Sequence, residues 1–406
     1  MQLTNGCRME KVLENIRVLD LTTWLAGPYC CMQLADMGAD VIRIDPPEGS
    51  MDRTIGPFTP HGDSIEYGIC TQRNKRNITL DFTNDAGKEI LTKLVKVSDV
   101  IVHNFVQGTE QAEMLSYESL KHLRADIIVA KISGYGYEGP YATRVAFDAT
   151  GQAEAGGMSL TGFPGSPPVR TQINYVDFGT GLHAALAVMY ALYYRQKTGM
   201  GQEIEVALFD VAVSFVATQG AIAEYRLYGT IRPQLGNHGY MAFGDTYKTR
   251  DGWITVNIGS DAQWRRFVRA VGKENWANDP QFKTNADRFF HRDIYTPIHQ
   301  EWMANKTNEE VIRVMEKARV PCGVVNRISE VANHPQAKFR EMLVEVDYPP
   351  DEAKVVVSGV VPRLSKSPGR IEKRPPTLGE NNREIYFNLL GLTQQEYEGL
   401  VSRKVI

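Results

Sequence analysis

Residues 18–47 read VLDLTTWLAGPYCCMQLADMGADVIRIDPP, and the punctuation of this stretch decides the fold class. Residues 16–21 read as a buried strand, closed by Ala26-Gly27-Pro28. Pro suits the first turn of the helix that follows, because the N–H it lacks has no intrahelical partner there. That helix runs through Met37, and a second strand at 41–44 ends at Pro46-Pro47. A strand, a tight turn, a helix and a strand in one stretch form the repeating unit of a parallel sheet.

The pattern continues outward. Residues 77–82 read as a third strand, 100–102 as a fourth and 127–132 as a fifth. Between them, 86–97 places Ile90, Leu94 and Val97 on one helical face, and a shorter helix surrounds 118–123. Residues 157–165 are rich in small and turn residues. A helix from Gly179 to about Gln196 then carries Leu182, Leu186, Met189 and Tyr193 at helical spacing, before a strand at 203–208. The expectation is an α/β fold, a Rossmann-like parallel sheet with helices on both faces. Such sheets bind ligands in loops at the carboxyl ends of their strands.

From about Met241 the character changes. Residues 246–258 read as a hairpin around Arg250-Asp251-Gly252, followed by helices near 262–271, 296–303 and 308–318. The reading is a large domain over 10–225, a smaller α+β domain over 241–327, and a 328–406 segment returning to the large domain. Pro349-Pro350 and Pro375-Pro376 mark long surface crossings.

With 406 residues, 43% of them hydrophobic and 23% charged, the composition is that of a globular chain of two domains. A formal net charge of −3 gives no electrostatic reason for nucleic acid or an anionic membrane as partner. The five cysteines, Cys7, Cys30, Cys31, Cys70 and Cys322, show no metal-ligand spacing, and the eight histidines no His-x-x-x-His. They read as free thiols in a reducing compartment. No signal peptide or membrane-spanning run is visible, Met9 is a candidate start, and the expected location is cytoplasmic.

Candidate chemistry is sparse on spacing alone. The loop Leu25-Ala26-Gly27-Pro28 joins strand to helix, where phosphate can approach backbone amides. It lacks both Gly-x-Gly-x-x-Gly and the Walker Lys-Ser/Thr. Lys75 and Arg76 stand before a strand, either as a solvated pair or as contacts to an anion. Asp177 precedes Gly179, and two readings stay open. It is an N-cap of the helix, or a carboxylate held ionised by the helix dipole and able to attack a thioester. Asp148, entering a small-residue helix, also reads as a cap. Gly236, Asn237, His238 and Gly239 form a mobile loop, with structural and functional readings both open.

Taken together, the segments resemble the class III CoA-transferases, the CaiB/BaiF group that includes formyl-CoA transferase and carnitine CoA-transferase. The likeness runs from about Val12 to the C-terminus. Its pieces, besides the opening stretch, are RNKRNITLDF, VIVHNF, ISGYGYEGPYATRVAFDATGQAEAGGMSLTGF, DFGTGLHAALAVMYAL and QKTGMGQEIEVALFD, six in the family's order.

The resemblance implies that Asp177 is the nucleophile, passing CoA from an acyl-CoA donor to a carboxylic acid through aspartyl anhydride and aspartyl-CoA thioester intermediates. It implies CoA contacts at Leu25, Ala26, Leu80, Asp81, Thr83, Asn104, Phe105 and Val106, with Phe147 and Asp148 beside the thioester. Gly236–Gly239 falls where the family has a glycine loop over the intermediate, although here the loop is not a glycine run. Relatives carry basic residues at the positions of Val106 and Ala112, and Lys75 and Arg76 are offered as substitutes. Leu25 replaces a Gln of the formyl-CoA enzymes, arguing against oxalate or formate.

Trp24, Phe147, Tyr175 and Tyr240 would shape a roomy, partly aromatic pocket for a larger or aromatic acid, with succinyl-CoA a candidate donor. No tightly bound cofactor and no metal are expected, and the CoA thioester is a cosubstrate. The partner implied is a second copy in an interlocked dimer, or a paralogous subunit, this chain being the active one, as in benzylsuccinate-type transferases. The rival of the same fold is a 2-methylacyl-CoA racemase. That chemistry uses a His immediately before Asp148 as a base at the α-carbon, and here Phe147 stands there.

Overall fold

The structure, a computed structural model, describes residues 11–348 and 353–406. The candidate start Met9, Cys7 and the Pro349-Pro350 crossing lie outside the described residues. The described residues divide into two compact units, the first holding residues 11–157, 171–226, 336–348 and 353–406 and the second 158–170 and 227–335. The turn-rich segment after Gly157 therefore joins the second unit, although the sequence reading kept it in the large domain.

The first unit is built on six parallel strands, β1 (Arg17–Leu21), β2 (Asp40–Asp45), β3 (Arg76–Thr79), β4 (Val100–His103), β5 (Ile128–Ser133) and β6 (Gln202–Ala207). Their order is β3-β2-β1-β4-β5-β6. Val18 of β1 stands opposite Val41 of β2 and Val100 of β4. The order reverses between β1 and β4, the position at which open sheets of this kind form a ligand crevice.

Alternation along each strand sends side chains to opposite faces, and both faces are buried. Val18, Val41, Val100, Val102, Ile128 and Ala130 pack with the helices Ala26–Asp36 and Tyr175–Thr198. Leu19, Ile42, Ile78, Ile101 and Val129 pack with the helix Asp85–Lys96 and with Ile385, Tyr386, Leu400 and Val405 from the C-terminal segment. The Asp85–Lys96 helix forms where its pattern predicts it. Asn84 caps it by accepting from Gly87 N at 3.0 Å, and Lys93 and Lys96 complement the dipole in its last turn.

The second unit carries a three-stranded antiparallel sheet of β7 (Phe243–Lys248), β8 (Trp253–Ile258) and β9 (Cys322–Val324). Phe243, Val256, Trp264, Phe267, Tyr295 and Met315 form its core with the helices Asp261–Ala270, Arg292–Ala304 and Asn308–Ala318. A hairpin of β10 (Leu343–Tyr348) and β11 (Ala353–Ser358) belongs to the first unit.

Some expectations shift. The third strand stops at Thr79, because Leu80 N still bonds Asp45 O while Asp81 N turns to Val405 O. The helices Leu208–Thr218 and Ala221–Tyr228, and further short helices at Ile328–Val331 and Pro335–Phe339, are additional to the elements read from the sequence. Their apolar patterns are short or uniform, so periodicity gave little to count. Among the described residues no helix is long and apolar enough to cross a membrane.

Candidate functional site

Residues 22–25 follow β1 and take an unusual path. Trp24 adopts φ 69°, and its amide donates to Asp52 Oδ2 at 2.9 Å. Positive φ is rare for a bulky residue and persists where neighbours over-determine it. The side chain of Asn104, after β4, fixes the same loop from the other side of the crevice. Its Oδ1 accepts from Thr23 N at 3.1 Å and its Nδ2 donates to Thr23 O at 2.9 Å. The two loops at the point of strand reversal are thus stapled together.

Asp177 reaches this crevice because two helices approach closely. A Cβ at Gly181 would lie 2.6 Å from Ala26 O, so only glycine lets the Tyr175–Thr198 helix settle against the Ala26–Asp36 helix. The helix starts at Tyr175, four residues earlier than its apolar spacing indicates, and its N-cap residue is Asn174. Asp177 sits in the first turn, so it is not the cap. That work falls to Asp148, whose Oδ2 accepts from Val176 N at 2.8 Å and Asp177 N at 3.2 Å while Gln152 Nε2 donates to its Oδ1. The small-residue helix Asp148–Glu154 thus terminates another helix in trans.

The Asp177 carboxyl is buried, lines a cleft of about 400 Å³, and accepts no hydrogen bond from any described residue. Burial, then the neighbouring Asp148 carboxyl, then Glu66, push its pKa up to about 7. The helix dipole is expected from sequence to hold this carboxyl ionised, and burial moves it the other way. A helix N-terminus favours the ionised form by about 2 kcal/mol at most, and desolvation with two like charges outweighs it. A carboxylate with a high pKa and no donors on it is a stronger nucleophile than a solvated one.

Of the expected contacts, Ala26, Asn104, Phe105, Val106, Phe147 and Asp177 line this one cleft. Leu80, Asp81 and Thr83 line an adjoining cleft of about 450 Å³ at the ends of β1, β2 and β3. Thr23 and Phe105 border both. Asp81 is held in a local turn by Thr83 and Asn84, which keep its carboxyl below the ordinary value. Asp148 acts on the site through the backbone of the nucleophile-bearing turn.

Leu25 is only 2% exposed and packs inward, so its side chain does not border the cleft. Lys75 is buried as well. Its Nζ donates to Asp20 Oδ2 at 2.8 Å, Pro28 O at 2.9 Å and Gln72 Oε1 at 3.0 Å. All three donors of the ammonium are used, and none faces a ligand. Arg76 forks onto Asp40 and reaches Glu384. Both cations hold the fold together and do not substitute for phosphate contacts.

Phe147 is half exposed, and its ring meets Trp24 edge-on at 5.1 Å. Tyr175 lies beside Phe215 and does not border the cleft. In the second unit, Tyr240 packs on Phe289 and Arg232. There the segment Gly236, Asn237, His238 and Gly239, expected from sequence as a mobile loop, makes hydrogen bonds within the second unit. Gly236 N donates to Gly162 O at 2.8 Å, Gly239 N to Gly244 O at 2.9 Å, and His238 Nδ1 lies 3.2 Å from Asp245 Oδ2.

Three residues that bear on the site escaped the sequence reading. Glu66 and Tyr67, on the turn Ile65–Cys70, stand near Asp177, and Tyr67 also meets Trp24 edge-on at 6.2 Å. Arg144 lines the cleft. No periodicity marks a one-turn element or a loop arginine. Among the described residues no group of three or more His, Cys, Asp or Glu could hold a metal ion.

Comparison with known proteins places this geometry in context. The sequence pattern of CoA-transferase family III matches residues 13–382. Succinyl-CoA--D-citramalate CoA-transferase of Chloroflexus aurantiacus is 33% identical over 98% of this chain and 99% of its own length. Formyl-CoA:oxalate CoA-transferase of Streptomyces avermitilis is 33% identical over 98% of this chain and 100% of its own. A CaiB/BaiF family protein from Brucella suis superposes with a TM-score of 0.82 at 32% identity, covering 93% of this chain and 99% of that one.

Proposed function

From the premise that the chain belongs to CoA-transferase family III, we propose that it exchanges CoA between a succinyl-type thioester and a carboxylic acid with Asp177 as covalent carrier. The observation that carries this is a buried, donor-free carboxyl in the cleft at the strand-order reversal, with a pKa of about 7. The ionised oxygen attacks the thioester carbonyl, the C–S bond breaks, and CoA leaves as thiolate from an aspartyl-acyl anhydride. The thiolate attacks the aspartyl carbonyl and releases the donor acid, leaving aspartyl-CoA thioester. The acceptor carboxylate repeats the sequence in reverse, and each step exchanges one acyl bond for another, so thioester energy is conserved.

Both named relatives are transferases between a CoA thioester and an acid, but at equal identity they do not favour one acid over another. Trp24 and Phe147 leave the cleft wall apolar, which supports an acid with some carbon skeleton. The racemase reading finds no support, because no histidine is among the described residues that line the cleft and Phe147 has no proton to exchange. Exposed Leu182, Leu186, Tyr190 and Tyr193 on the Tyr175–Thr198 helix support a second copy as partner. The test is a panel of acids with succinyl-CoA as donor, with hydroxylamine added during turnover. A hydroxamate at Asp177 is expected, and its formation elsewhere refutes the carrier.

A further inference from the structure

Coenzyme A brings two charges in its diphosphate and more in its 3′-phosphate, and these must meet cations or water. The structure removes Lys75 and Arg76 from consideration, since both are spent on carboxylates. Among the described residues that line the cleft with Asp177, the single basic side chain is Arg144. Its guanidinium carbon stands 3.8 Å from the centroid of the Tyr141 ring, which Tyr135 supports edge-on at 5.6 Å. Neither a hydrogen bond nor an ion pair occupies the guanidinium among the described residues. A ring contact uses none of the N–H donors of the guanidinium, which stay available for a bidentate oxyanion. The adjoining cleft is lined by Glu48 and Asp81 as well as Lys404, so it offers phosphate a less favourable field.

We infer that Arg144 is the anion-binding residue of the Asp177 cleft and receives the diphosphate of coenzyme A, an assignment that rests on the thioester reading above. Oxyanion contacts of this kind carry specificity for the carrier rather than for the acyl group. The competing source of the same chemistry is the distal carboxylate of a succinyl group.

The experiment measures binding of desulfo-CoA by calorimetry, and turnover of succinyl and butyryl thioesters of both CoA and pantetheine. In Arg144→Gln, desulfo-CoA should bind about 10- to 100-fold more weakly. The preference for CoA over pantetheine thioesters should fall by the same factor, for succinyl and butyryl alike. Arg144→Lys, which keeps the charge and loses the fork, should recover part of it. Equal losses with CoA and pantetheine thioesters, or unchanged desulfo-CoA binding, overturn the assignment. Loss confined to succinyl against butyryl moves Arg144 to the distal carboxylate and overturns it too. The binding arm needs no turnover and is repeated in Asp177→Asn, so a failure of the covalent reading is separable from a failure at Arg144.

Discussion

Replacing Asp177 with Asn should make the protein inactive and more stable, and the gain should depend on pH. Asn keeps the size of the side chain and cannot ionise. The wild-type carboxyl is displaced from its ordinary 3.8 to about 7 by burial, Asp148 and Glu66. Below pH 3.8 folded and unfolded chains both hold the proton, and the native carboxyl costs nothing through its charge. As pH rises to about 7, the unfolded chain releases the proton while the folded chain keeps it, so stability falls. Above about 7 both are ionised and the loss is complete. At about 1.4 kcal/mol per pH unit, the full loss is about 4 kcal/mol.

Asn escapes this loss. The difference in urea-unfolding free energy between variant and wild type should therefore widen by about 3 kcal/mol between pH 5 and pH 8. Other acids titrate in this range, but they cancel in the difference between two proteins that share them. Transfer activity should drop by roughly a thousandfold or more. A gap that stays constant with pH would refute the picture of a carboxyl strained by its surroundings. Retained activity would refute the nucleophile itself.

For the wild type, kcat/KM should rise with pH and level off above about 7 as Asp177 ionises, a profile read directly from initial rates. Asp148→Ala should cost about 1–3 kcal/mol of stability, because Val176 N and Asp177 N lose their acceptor. The same change removes a like charge, so the pH–rate profile should move to lower pH, and an unmoved profile argues against coupling of the two carboxyls. Lys75→Met should destabilise the fold by about 3–5 kcal/mol, since Asp20 is left buried without its partner. Its KM for acyl-CoA in the folded fraction should stay near the wild-type value, and a large selective rise would return Lys75 to the ligand. Gly181→Val should disrupt the contact with Ala26 O and lower the melting temperature, followed by circular dichroism.

The sequence by itself determined the alternation of strands and helices in the first unit. Runs such as 100–102 and 127–130 are apolar at every position, and a short run of that kind suits a strand buried on both faces. The order of the matching segments likewise carried the family resemblance and the position of Asp177. What the tertiary structure alone decided is the electrical state of those residues. Asp177 looked like a cap or an ionised acid, yet Asp148 does the capping and, with Glu66, raises its pKa. Lys75 looked like a surface cation, yet Asp20, Pro28 and Gln72 enclose it. Local patterns report which residues are buried, because burial repeats with the period of the element. A charge answers to whatever the fold brings within a few ångströms, and those neighbours come from strands, turns and helices far apart in the chain.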